Sequence, residues 1–86
     1  MNLPFSEEIK DNYYIRTFNK DVDVEELVWH RDREDRLIEC IGETNWQFQR
    51  DNELPICFDK PIFIKAEVYH RLIKGYGELV LKITKY

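Results

Sequence analysis

His30 and His70 are the only histidines in this chain, and each sits in a run with the character of a strand. The first lies in Trp29-His30-Arg31-Asp32-Arg33-Glu34-Asp35, the second in Val68-Tyr69-His70-Arg71-Leu72-Ile73. Residues two apart on a strand point to the same face. His30 and Asp32 can therefore aim at one point, and a histidine from another strand can complete a set of two imidazoles and one carboxylate. That set suits non-haem Fe(II), and also Mn, Ni or Zn. Adjacent acids extend the group: Glu34 or Asp35, of which only one can face inward on a strand, would serve as a fourth ligand or a catalytic base. The competing account gives His30 and His70 as hydrogen-bonded interior groups and pairs Asp32 with one of Arg31, Arg33 or Arg36.

The elements that must hold these residues are short. Alternating runs fall at 13–18, 25–32, 36–41, 46–49, 55–58, 62–64, 69–73 and 78–84, separated by turn-formers such as Asn19-Lys20-Asp21, Asp59-Lys60-Pro61 and Gly75-Tyr76-Gly77. Strands recurring at that spacing indicate a sandwich or barrel. The runs at 69–73 and 78–84 read as a hairpin across Gly75-Tyr76-Gly77. Residues 6–12 read as a helical turn capped by Ser6. Alternation puts Val28, His30 and Asp32 on one face of their run, with Leu27, Trp29 and Arg31 on the other. It groups Val68, His70 and Leu72 likewise. A face shared with Val and Leu is an interior face, where a carboxylate is costly unless it is paired or coordinates a metal.

The pattern His30-x-Asp32-x-x-Asp35, then six residues, then Gly42 resembles the first motif of the cupin superfamily, with Asp32 in place of its second histidine. The family's second motif is Gly, five residues, Pro-x-Gly, two residues, His. Here Asp59, Lys65 and Glu67 replace its glycines and proline, and His70 falls on the histidine. The resemblance runs from Val24 to Thr84. It implies an all-β, double-stranded β-helix (a jelly-roll barrel) in a single domain spanning residues 1–86, with an arm at about 1–12 and a barrel at 13–86. It further implies a divalent metal (Fe, Mn, Ni or Zn) held by His30, Asp32 and His70. His-x-Asp with a distant His also resembles the facial triad of 2-oxoglutarate-dependent oxygenases, where only Lys82 could take the role of the cosubstrate-binding basic residue.

Other residues fill out the pocket. Gln47 and Gln49 alternate with Trp46 and Phe48, so one pair faces the lumen. The glutamines there, with Arg36, would orient a small polar substrate, whereas the alternative puts the aromatics inside. Large apolar residues on outer faces (Leu27, Trp29, Ile73) point to a homodimer, which would also support the small core of an 86-residue chain.

Composition narrows the classes. The chain is 43% hydrophobic and 14% aromatic with a net charge of −4, which fits a packed globule and disfavours nucleic acid or an anionic membrane surface as a partner. No apolar run approaches a membrane span. No signal peptide is visible, so a cytoplasmic location is expected. Cys40 and Cys57 match no zinc motif and read as buried reduced thiols. No glycine loop cradles phosphate, and Ser6 is the only serine. Two functions remain open: metal-dependent turnover of a small polar molecule, dioxygenase- or isomerase-like, or a non-catalytic binding or interaction module.

Overall fold

A computed structural model describes residues 4–86. Eight strands follow one another: β1 (Ser6–Ile9), β2 (Tyr13–Phe18), β3 (Arg36–Cys40), β4 (Gln47–Arg50), β5 (Ile56–Cys57), β6 (Ile62–Ile64), β7 (His70–Ile73) and β8 (Leu79–Lys85). They form a five-stranded sheet of order β1-β2-β8-β3-β6 and a three-stranded sheet of order β5-β4-β7. Every pairing is antiparallel.

Period-two alternation explains why these segments are strands and which way they face. In β8, Leu79, Leu81 and Ile83 are buried while Val80, Lys82 and Thr84 are partly exposed. In β6, Ile62 and Ile64 are buried and Phe63 is exposed. Together with Tyr14, Phe18, Ile38, Trp46 and Phe48 they form one core between the sheets. At one margin of the core Arg50 crosses from β4 to donate to the Phe63 carbonyl of β6 (2.6 Å).

Three sequence expectations are corrected. Residues 6–12 are not a helical turn: β1 pairs with β2 along its length, Lys10 N–H closes the turn onto the Tyr13 carbonyl (2.9 Å), and Arg16 grips Glu7 across the two strands. An open edge on β2 offers ladder partners that a short polar helix lacks. Residues 25–32 do not make a regular strand. Asp23 caps a 3₁₀ turn (Val24–Glu26), and the chain then runs extended with a single bridge, His30 to His70. Leu27 consequently packs toward the core while Trp29 is 41% exposed. Finally, β7 and β8 are not a hairpin, because they belong to different sheets. The Gly75 turn is a crossover pressed against the backbone of Asn45 and Trp46, where a Cβ on Gly75 would fall 2.7 Å from Trp46 N. Asn45 accepts from Tyr76 N–H (2.7 Å), and the Trp46 indole donates to the Gly77 carbonyl (3.2 Å).

Candidate metal centre

Backbone contacts bring residues 30–35 and the β6–β7 connection together. His30 and His70 exchange both backbone hydrogen bonds (3.0 and 2.9 Å). Glu67, in the left-handed region at φ 69°, donates its N–H to the Asp32 carbonyl (2.7 Å). Ala66 N–H donates to the Asp35 carboxylate (2.7 Å). With these clamps in place, one ligand atom from each of His30, Asp32 and His70 lies within 4.8 Å of the others.

The hydrogen bonds of the two imidazoles set their chemistry. Each Nδ1 lies against a carbonyl two residues back: Val28 for His30 (3.1 Å) and Val68 for His70 (2.9 Å). A carbonyl only accepts, so each Nδ1 carries a proton, and in the neutral ring Nε2 keeps its lone pair for a ligand. His70 is 4% exposed and stacks on Phe48 (5.6 Å between centroids). Burial pushes its pKa below the ordinary histidine value, with His30 and Arg36 acting in the same direction against Val68 and Asp32. The neutral form is therefore favoured. Its Nε2 stands 3.3 Å from Asp32 Oδ2, a buried oxygen with no hydrogen-bond partner. Two facing lone pairs at that separation call for a cation between them. Ligands at about 2.1 Å from one ion sit roughly 3.0–3.4 Å apart at tetrahedral to octahedral angles. The residues present fit a divalent metal.

The remaining expectations divide. Arg36 is close by: its Nη1 is 3.3 Å from Asp32 Oδ1, and its Nε and Nη2 donate to Glu34. Glu34 points to Arg36 and Lys85, and the Arg36 hydrogen bond holds its carboxyl below the usual range. Asp35 is spent on Ala66 N–H. Neither acid joins the ligand group. Gln47 and Gln49 face away from the core because Trp46 and Phe48, both 0% exposed, take the inner side of β4. Gln49 instead bonds Arg71 Nε and the Glu53 carbonyl (both 2.9 Å). Burying two large aromatics outweighs burying two amides that would need partners. Both cysteines are free, and Cys57 is exposed rather than buried. Cys40 packs against the core, and burial pushes its thiol pKa up.

A cavity of about 240 Å³ opens beside the ligand group, walled by His30, Asp32 and Arg36 and by Phe5, Arg16 and Leu72. A smaller void of about 40 Å³ reaches from it to His70 and Phe48. Arg16 and Phe5 are additions to the sequence-derived set. Arg16 was signalled by its place between Tyr14 and Phe18 on the inner face of β2; nothing marked Phe5.

No protein-family model and no curated protein matches this sequence. Its three-dimensional structure does have counterparts. Protein NMB1881 from Neisseria meningitidis superposes with a TM-score of 0.63 at 12% identity, over 95% of this chain and 82% of that one. A cupin domain from Bordetella pertussis Tohama I superposes with a TM-score of 0.60 at 13% identity, over 100% of this chain and 98% of that one. At such identities the likeness speaks for architecture alone, and the architecture is all-β and cupin-like.

Proposed function

We propose that this protein binds a divalent transition metal through His30, Asp32 and His70 and uses the adjoining cavity to hold a small polar molecule against it. The observation that carries the reading is the unpartnered Asp32 Oδ2 beside the His70 Nε2 lone pair. When bound, such an ion supplies Lewis-acid chemistry or, as iron, oxygen chemistry. The chain's own residues would do the rest. Val28 and Val68 carbonyls hold the imidazoles in one tautomer. Arg36 fixes Asp32. Phe48 and Leu72 keep water from the inner side.

Elemental analysis by plasma mass spectrometry tests this on the purified protein and its His70→Ala variant. Near-stoichiometric metal in the parent and its loss in the variant are expected. A parent that is empty and refuses added Fe, Mn, Ni or Zn would overturn it. One observation favours a second reading, a binding module without metal: Arg36 already stands against Asp32 as a counter-ion. That reading requires ligand binding to survive chelation.

The reading extends to a homodimer in the cytoplasm. Exposed Val28, Trp29 and Tyr69 offer apolar surface for pairing, the two rings flanked by Arg71 and Arg31, and sedimentation equilibrium checks it. No helix among the described residues is long and apolar enough to cross a membrane.

A further inference from the structure

We propose that the cavity accepts a small monocarboxylic acid with an apolar body, anchored at its carboxylate by Arg16; this deepens the metal-site reading and rests on it for what the other end of the molecule meets. Four features lead there.

The first is size. At about 240 Å³ the cavity is below the ~300 Å³ lower end of ordinary ligand pockets and equals roughly eight waters at ~30 Å³ each. Nucleotides and large cofactors are too big. The second is the wall, where Phe5, Phe18, Leu27 and Leu72 supply apolar surface that a sugar would leave unmatched.

The third is charge. The side chains of Arg16, Arg36 and Asp32 are 17%, 13% and 12% exposed, so two well-shielded cations face one well-shielded anion. The outer partners Glu7 and Glu34 are 31% and 29% exposed, and water screens them more. Glu26 also lines the cavity but is exposed, so an excess of one positive charge is confined to the shielded walls, where it suits a monoanion better than a phosphate dianion.

The fourth is unspent hydrogen-bonding capacity. Arg16 gives Nε and Nη2 to a single oxygen of Glu7 (2.9 and 2.7 Å). Its Nη1 has no acceptor among the described residues. The Phe5 ring lies 3.9 Å from the guanidinium carbon and fixes the plane of a group whose fork matches carboxylate. Within the fold this arginine is engaged by Glu7 across β1 and β2 and by the Phe5 and Tyr14 rings, which leaves Nη1 for a ligand. An arginine held flat at a cavity wall with spare donors is a carboxylate anchor.

The test is calorimetric titration of the purified protein with butanoate, 3-methylbutanoate and phenylacetate, each against its neutral amide. Metal content is measured on the same sample. At least one acid should bind about tenfold or more tightly than its amide, as expected of charge-assisted hydrogen bonds. Arg16→Gln should erase that preference without changing the metal content, and Arg16→Lys should restore part of it. Equal binding of acids and amides by the parent, binding of none, or an undiminished preference in Arg16→Gln would overturn the proposal. The parent comparison stands whether or not the variants fold. Metal present without acid preference sinks the anchor alone. Acid preference that depends on Arg16 in a protein that takes up no metal sinks the metal reading and leaves the anchor.

Discussion

His70 and His30 face each other across one antiparallel bridge, yet the backbones carrying them are built differently. His70 opens β7, a strand paired along its length with β4, and its ring lies on Phe48 at the edge of the core. His30 sits in an extended run whose one ladder contact is the bridge itself, flanked by Val28 at 60% exposure and Trp29 at 41%. The contrast teaches that one half of the ligand group is fixed by the core and the other half is lent to it by a few hydrogen bonds. Asp32 stands between, held at its carbonyl by Glu67 and at its carboxylate by Arg36.

The largest expected effect lies on the core side. Phe48→Ala should cost about 3–5 kcal/mol in urea unfolding and take the metal site with it, whereas Val28→Ala on the open side should stay within about 0.5 kcal/mol. Equal losses would erase the contrast. Next comes metal itself. At one hundred times its dissociation constant, an ion that binds only the folded chain adds about 2.7 kcal/mol. Thermal melting with and without chelator should show a shift for the parent and none for His70→Ala. Gly75→Ala follows, at about 1–3 kcal/mol from forcing a methyl against Trp46 and Asn45. Its damage should fall on the crossover between the sheets, reported by Trp46 fluorescence, with less change at His30.

The smallest effect is acid sensitivity. His70 has its pKa depressed by burial in the folded chain, from an unfolded value of 6.5. The folded state therefore binds fewer protons, so stability is full above about pH 6.5, falls as pH drops from there to the lower folded value, and levels off below it. In chelator, unfolding free energy against pH should show this fall in the parent and lose it in His70→Phe. His30→Ala should keep it, since the titrating ring belongs to the fixed half.

Much of this was legible in the residues. Alternation located 13–18 and 62–64 to the residue, because burial on one face leaves a period of two, clean in 62–64 and interrupted in 13–18 only at Arg16. The His30, Asp32 and His70 grouping was also legible, although the reason differs in part. The 25–32 run is not a strand, but it is extended where it meets His70, and extended chain is all that two-residue spacing requires. Periodicity reports faces and not neighbours, so it could not tell that β7 and β8 part company at Gly75. Nor could it decide between Trp46–Phe48 and Gln47–Gln49, since both pairs alternate equally well and only the space available in the core selects the aromatics. Asp35 looked like chemistry because its hydrogen-bond partner, a backbone amide at Ala66, leaves no mark in side-chain types.

The His30–His70 bridge has a kinetic side. Two backbone hydrogen bonds hold it, and neither belongs to the five-stranded sheet. Breaking them frees residues 28–31, with Asp32 still held by Glu67 and Arg36, while β2, β8 and β3 keep their ladders. Local opening of this kind lies at the low end of a protein's free-energy scale. The His30 amide should accordingly exchange with solvent deuterium well before that of Ile83. Opening on the His30 side would then run through a door of two hydrogen bonds, independently of how slowly the barrel as a whole comes apart.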